Sequence, residues 1–201
     1  MSLRLNGQFL LAGATGTILS SLLIFLIPGP LGLTGPGSIP ANVVAILSGL
    51  LLLAGLPALY RAQAKQIRRI GLIGIVLLEI AIVATLVLYS VEILDVAKPG
   101  SIPHPGGEGP PPLALIPAIL GIALLFIGSV IVGITTIRAH VLPAAIGWVI
   151  LIGSVLLIAT FPLNGILSTI LINGAIVVLF AGLAWAGATI SFRGNATQVS
   201  R

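Results

Sequence analysis

Six apolar segments divide this chain, and they constrain its fold more than any other feature of the sequence. About 20 helical residues are needed to cross the roughly 30 Å hydrocarbon core of a bilayer. The segments of about this length or more are approximately residues 9–27, 41–60, 70–92, 113–137, 142–161 and 164–191. We therefore expect an all-α integral membrane protein, in which residues 1–201 form a single membrane domain built as a bundle of six transmembrane helices.

The scarcity of charge supports the same class of protein. Only 6% of the residues are charged, whereas an ordinary globular domain has about 25%, so a soluble fold of this size could not cover its surface. The first apolar segment follows Arg4, as the core of a signal peptide follows a basic residue. It is longer than a usual signal core, however, and no small-residue cleavage site follows it. We interpret it as the first membrane helix.

The distribution of basic residues predicts the orientation of the bundle. With the N-terminus in the cytoplasm, the inner segments hold eight of the nine lysines and arginines, and only Lys98 lies on the outer side. Cytoplasmic loops are enriched in these residues, so we expect both termini in the cytoplasm. The basic residues sit in turns and tails rather than in a patch, so we expect no nucleic-acid partner.

Two proline- and glycine-rich segments, 28–40 and 97–112, form the predicted outer loops and hold ten of the fourteen prolines. Proline at this density favours extended, semi-rigid backbone. The sequence PGSIP occurs in both loops, at 36–40 and 99–103, and each copy precedes a helix that ends in Arg-Ala. This repetition suggests duplicated helical hairpins, an arrangement that many transporters use. Chance repetition in an apolar sequence is the alternative.

Small residues at a spacing of four predict the helix faces that pack together. In lipid, helices associate through close backbone approach and interhelical hydrogen bonds. Such sets occur in the first, fourth and sixth predicted helices: Gly13, Thr17 and Ser21; Ser129 and Gly133; Gly182 and Ala186. We interpret these faces as packing surfaces rather than as the lining of a substrate path.

The chain carries no motif of a catalytic or cofactor-binding site. It has no cysteine, which excludes disulfides, thiolate metal sites and a cysteine nucleophile. The two histidines, His104 and His140, fall in predicted loops on opposite sides of the membrane, so they cannot hold one haem together. We expect no cofactor, no metal site and no enzymatic activity.

Glu79 is the only ionisable residue deep in a predicted span, within the run IVLLEIAIVAT of residues 75–85. A helical projection at 100° per residue places large aliphatic residues around it: Leu72, Ile75, Val76, Ile82, Val83 and Leu86. The opposite face carries Glu92 and a set of small residues: Gly74, Ala81 and Thr85. Because small faces pack together in membranes, we expect Glu79 to point away from the bundle.

A charge at that depth costs about 2.5–3.5 kcal/mol on insertion scales. The nearest base in sequence, Arg69, is ten residues away, or roughly 15 Å along a helix. Three roles are open to Glu79. The carboxyl is protonated and hydrogen-bonded to a polar residue such as Asn173 or Ser154, or it contacts another subunit, or it carries a proton or cation. Glu79, Asn173 and Ser154 are therefore our candidate intramembrane polar or partner-contact residues.

The stretch RAHVLPAAIGWVILIGSVLL, residues 138–157, resembles a hairpin in small bacterial polytopic membrane proteins of unknown function. In those proteins an Arg-x-x-Val-Leu-Pro turn precedes a span that contains glycine and tryptophan. The stretch covers about a tenth of the chain. The resemblance implies a protein of the bacterial cytoplasmic membrane and implies no activity.

Two functions from different classes fit these expectations. The first is a non-catalytic membrane subunit that scaffolds or seals a larger assembly, with the lipid bilayer and other membrane proteins as its partners. The second is a small transporter or channel that uses Glu79 as an intramembrane proton or cation site. The outward-pointing acid and the stiff outer loops favour the first function, and the repeated hairpin favours the second.

Overall fold

The computed structural model describes residues 3–26, 39–96, 112–160 and 165–199, and every regular element in these ranges is an α-helix. Helical backbone runs over Leu3–Leu26, Ile39–Val96, Pro112–Ala139, Ala144–Ala159 and Gly165–Val199. An α-helix satisfies its backbone hydrogen bonds internally, as a lipid environment requires. The all-α class predicted from the sequence is confirmed for these residues. The two outer loops lie almost wholly outside the described ranges.

The helix Ile39–Val96 is a hairpin and not a rod. Its 58 residues would extend roughly 87 Å if the helix were straight. The Asn42 side-chain nitrogen nevertheless lies 3.1 Å from a Glu92 carboxylate oxygen, and a straight helix would hold these residues roughly 75 Å apart. The chain therefore reverses between two apolar spans, Ile39–Ile67 and Arg69–Leu94.

Six helices result, and they are numbered here in chain order. They are α1 (Leu3–Leu26), α2 (Ile39–Ile67), α3 (Arg69–Leu94), α4 (Pro112–Ala139), α5 (Ala144–Ala159) and α6 (Gly165–Val199). The sequence predicts a basic loop over 61–69, but the backbone of this stretch is helical. The pairing of Asn42 with Glu92 and of Gly49 with Leu86 places the middle of the reversal near residue 68. The stretch has no glycine or proline and is rich in arginine, lysine, glutamine and alanine, which are strong helix formers, so the helix continues into it.

Among the described residues, four helical segments are long and apolar enough to cross a membrane: Ile39–Ile67, Arg69–Leu94, Ile116–Ala139 and Ile170–Arg193. The helix α5 is apolar but has only 16 residues, because Pro143 and the preceding turn delay its start. The helix α1 has 24 residues, with Asn6 and Gln8 near its start. The described residues thus support a polytopic helical membrane protein with four long apolar helices, where the sequence predicts six spans.

Helices that follow one another in the sequence are neighbours in the bundle, and α6 closes the ring by packing against α1. Gly7 lies against Ser191 and Gly187 lies against Leu11, so α1 and α6 run in opposite directions. The other neighbouring pairs are antiparallel in the same way. The bundle is therefore an up-and-down ring in which the odd-numbered helices run one way and the even-numbered helices run the other.

A glycine permits close backbone approach within each of the three successive hairpins. The contacting pairs are Gly55 of α2 with Leu10 of α1, Gly128 of α4 with Leu78 of α3, and Gly182 of α6 with Ile150 of α5. A Cβ added to any of these glycines would overlap its neighbour. The predicted packing roles of Gly13, Gly133 and Gly182 are confirmed, since each lies against an adjacent helix. The duplication of hairpins stays a prediction.

The interior of the ring is filled by aliphatic side chains from all six helices. Its most buried members include Leu10, Leu56, Leu78, Val132, Ile150 and Leu183, each no more than 2% exposed. A groove between α2, α3 and α4 beside Gln63 leaves no room for a water molecule. Among the described residues, helix association therefore combines apolar packing with buried polar contacts such as the one between Asn42 and Glu92.

The described basic side chains lie at one end of the bundle, which we call the basic end. It is formed by the start of α1, the α2–α3 reversal, the α4–α5 turn and the end of α6. It carries Arg4, Arg61, Lys65, Arg69, Arg138 and Arg193, all of them exposed. The Arg193 guanidinium donates a hydrogen bond to the Val141 carbonyl, so it ties the end of α6 to the α4–α5 turn.

Candidate functional site

Glu79 lies on the outer surface of the ring, at the border between lipid-accessible residues of α3 and the flank that packs on α2. Leu72, Val76 and Val83 on the same side of α3 are 43%, 41% and 48% exposed. Glu79 itself is partly exposed, and it makes no hydrogen bond or ion pair with any described residue. Glu79 thus lies at the outer border of the bundle, on the side where the sequence predicts it.

One part of the helical projection is wrong. Ile75 and Ile82, expected on the lipid side with Glu79, are only 4% and 7% exposed. The cause is the α2–α3 hairpin, which brings Gly49 of α2 against Ile82. Because α2 covers this flank, the acid stands at the seam between two helices rather than in the middle of an open aliphatic stripe.

The register of the hairpin places a small residue of α2 at about the height of Glu79. Asn42 pairs with Glu92, and Gly49 lies against Leu86. Each residue forward along α2 corresponds to one residue back along α3 in an antiparallel pair, which brings Ala54 close to the level of Glu79. Ala54 is also exposed. The two residues therefore lie at a similar height on the outer side of neighbouring helices.

The small-residue face of α3 packs against α4, as predicted. Gly74 lies against Ile131, and Gly121 of α4 lies against Ala81 and Thr85. The Thr85 hydroxyl donates to the Ala81 carbonyl over 2.9 Å, within its own helix. The small face is thus a packing surface, and the carboxyl of Glu79 lies on the other side of the helix.

Ser154, the second candidate, lies inside the bundle and has partners of its own. Its hydroxyl oxygen is 2.7 Å from that of Ser129 on α4, and the hydroxyl also donates to the Ile150 carbonyl at 2.7 Å. Both serines are fully buried. The pair holds α4 and α5 together, and Ser154 is not the partner of Glu79.

Asn173, the third candidate, is only 8% exposed on α6 and is engaged in an interaction. Glu79 is not its partner, since Glu79 has no hydrogen bond to any described residue. The structure therefore separates the three predicted residues. Two of them act within the bundle, and Glu79 is the one of the three that presents its polar group to the outer surface at mid-helix.

The buried pair of Asn42 and Glu92 was not among the predicted site residues. Glu92 is 5% exposed and Asn42 is 4% exposed, and the Asn42 amide donates to the Glu92 carboxylate. In the sequence, Glu92 lies close to the acids of the second predicted outer loop, so a buried structural role is not evident from its position. The signal that could have found it is its place on the small, packed face of α3, where an acid must meet a hydrogen-bond donor.

A second missed polar contact lies near the basic end. The Gln63 amide donates to the Thr136 hydroxyl over 3.2 Å, and the two residues are 73 positions apart in the sequence. They are 1% and 0% exposed. This bond joins α2 to α4, two helices that run in the same direction on either side of α3.

Within the described ranges, no group of three or more histidines and acids is arranged to hold a metal ion. His140 is exposed in the α4–α5 turn, where it takes a left-handed backbone with φ of 51°. His104 lies outside the described residues. Hydroxyls such as those of Thr15 and Thr17 donate to carbonyls of their own helix, a common way for helical hydroxyls to be satisfied.

Compared with protein-family models, with curated proteins and with solved structures, the chain matches none. Among the described residues, Glu79 is a polar group that the internal packing of the bundle leaves without a hydrogen bond or ion pair.

Proposed function

We propose that this chain is a non-catalytic integral membrane subunit that scaffolds or seals a larger membrane protein assembly. The observation that carries the proposal is the position of Glu79. It stands at mid-helix on the outer surface of the bundle, with no partner among the described residues. Ionisable groups in membrane spans are rare, and they are usually paired or face an interior. A carboxyl group on the perimeter is expected if a neighbouring protein supplies the hydrogen-bond or ion-pair partner of that group.

The packed interior supports a subunit more than a transporter. Core side chains from all six helices meet at the centre of the ring. The alternative function, a small transporter or channel, uses Glu79 as an intramembrane proton or cation site. That mechanism needs the acid on a path through the protein, whereas Glu79 lies on the perimeter.

The proposed topology has six spans with both termini in the cytoplasm of a bacterial cell, in its cytoplasmic membrane. The clustering of basic side chains at one end of the bundle supports this orientation, because cytoplasmic segments are enriched in lysine and arginine. The resemblance of residues 138–157 to a hairpin of small bacterial membrane proteins supports the choice of membrane. In this topology α5, at roughly 24 Å, crosses the bilayer as the shortest helix.

Native gel electrophoresis tests the proposal. Membranes from the native source are solubilised gently, and the chain of 20.4 kDa is followed by an antibody against its C-terminal tail. The proposal predicts a discrete species that contains other polypeptides and is much larger than the free chain in its detergent micelle. A free chain as the only species in several mild detergents would contradict it. Reconstituted flux abolished by Glu79→Gln would instead support the transporter.

A further inference from the structure

We propose that the outer surface of the α2–α3 seam around Glu79 binds a membrane-spanning helix of a different protein, and that this helix presents a lysine or arginine to the Glu79 carboxylate. The inference rests on the proposed function, because it assumes an assembly, and it adds where the contact lies and what chemistry the partner offers. We call the surface formed by Leu50, Ala54, Val76, Glu79 and Val83 the Glu79 surface.

The depth of Glu79 argues for a partner within the hydrocarbon. Glu79 lies ten residues beyond Arg69, the first residue of a span that ends at Leu94, or roughly 15 Å from the basic end. Lysine and arginine have long side chains that can direct their charge some way toward the membrane surface. Glutamate is shorter, so its carboxyl stays where α3 places it and needs a donor at the same depth.

The charge inventory argues against a second copy of this chain as the partner. All described basic side chains lie at the basic end, so no second copy can bring one of them to the depth of Glu79. In a two-fold dimer the same surface meets itself. Such packing on the Glu79 surface would set two acids against each other. A different protein with a basic residue in a span offers the complementary charge.

The shape of the Glu79 surface suits a packed helix. Val76, Val83 and Leu50 are 41%, 48% and 53% exposed, and they form apolar flanks. Ala54, exposed and close to the level of Glu79, is small enough to let another helix approach, as membrane helix contacts require. A basic side chain on that helix would reach the carboxyl in a setting that excludes water, where charge-assisted hydrogen bonds are strongest.

The absence of cysteine from the chain makes single-cysteine crosslinking a direct test. The full chain is produced in its native membranes with Val83→Cys on the Glu79 surface. The matched control is Ile152→Cys on α5, which is similarly exposed at 52% but faces another side of the ring. Each cysteine carries a benzophenone maleimide, and the products formed by light are sequenced.

The expected result is a crosslink from position 83, and none from position 152, to an apolar segment of another protein that contains lysine or arginine. Glu79→Leu should reduce this crosslink at least tenfold, while Glu79→Asp should keep it. Exchanging the charges, with Glu79→Lys here and glutamate in place of the partner's base, should restore it.

A product of twice the chain mass would overturn the inference. So would a partner segment without a basic residue, or a crosslink that Glu79→Leu leaves unchanged. If the chain still migrates in a large complex while position 83 gives no product, the assembly role stands and the assigned surface is wrong. If native gels show only the free chain, both proposals fail.

Discussion

The Asn42 amide donates a hydrogen bond of 3.1 Å to the Glu92 carboxylate across the α2–α3 hairpin. The bond joins residues 50 positions apart near the end of the bundle opposite the basic end. With the tight reversal around Arg68 at one end and this pair at the other, the hairpin has a fixed register. That register is what brings Ala54 close to the level of Glu79.

Asn42→Ala should destabilise the protein by about 1–3 kcal/mol, because a buried carboxyl group then loses its donor. Glu92→Gln should cost less, since its side-chain carbonyl still accepts from Asn42. Unfolding in mixed detergent micelles measures both variants. Equal stability of wild type and Asn42→Ala would show that the pair contributes nothing to the hairpin.

Gly55→Ala should destabilise the α1–α2 contact by about 1–3 kcal/mol, the usual cost of overpacking. A Cβ at Gly55 would lie 2.8 Å from the Leu10 Cβ and closer still to the Leu10 backbone. Gly174→Ala on α6 is the matched control, because a Cβ there meets nothing within 4 Å. The same unfolding assay should show no loss for the control. A similar loss in both variants would mean that close packing is not the cause.

The hydrogen bond between Gln63 and Thr136 should show a measurable coupling energy. Thr136→Val leaves the buried Gln63 amide without its acceptor, and Gln63→Met in the same chain removes that unpaired group. A double-mutant cycle should give a coupling of about 0.6 kcal/mol, the typical value for such bonds in membranes. Strictly additive losses would indicate that the two side chains do not interact in the folded protein.

The proposed topology predicts opposite labelling at the two ends of the bundle. A membrane-impermeant maleimide should label Gln66→Cys at the α2–α3 reversal only after the cells are made permeable. It should label His104→Cys, in the predicted outer loop, in intact cells. Labelling of both positions in intact cells, or the reverse pattern, would contradict the orientation with cytoplasmic termini.

Much of the fold follows from the sequence because lipid leaves few choices. Long apolar runs can only be helices, and the small residues that predict packing faces, such as Gly13 and Gly133, do lie against neighbouring helices. The boundaries were harder to predict. The charges of the stretch 61–69 predict a loop, yet its residues are good helix formers and its backbone is helical.

The candidate site was only partly predictable, because a helical projection describes one helix and not the helices that pack against it. It placed Glu79 on the outer side of α3 and its small residues against the bundle. It could not show that α2 buries Ile75 and Ile82. The Asn42–Glu92 pair depends on the register between two helices, which no pattern within either helix reports.

Glu79→Leu should leave the isolated chain as stable as wild type or make it more stable. No described residue bonds to Glu79, so its removal breaks no internal contact, and an apolar side chain suits the perimeter. Unfolding of the purified chain in detergent checks this. A loss similar to that of Asn42→Ala would mean that Glu79 has a partner inside its own chain.

The distribution of the chain between assembled and free forms tests the central claim most directly. Wild type, Glu79→Asp and Glu79→Leu are expressed in their native membranes and compared on native gels after gentle solubilisation. The account predicts that wild type and Glu79→Asp run in a large complex, while most of Glu79→Leu runs as the free chain of 20.4 kDa in its micelle. An identical complex in all three would contradict the claim that Glu79 faces a partner.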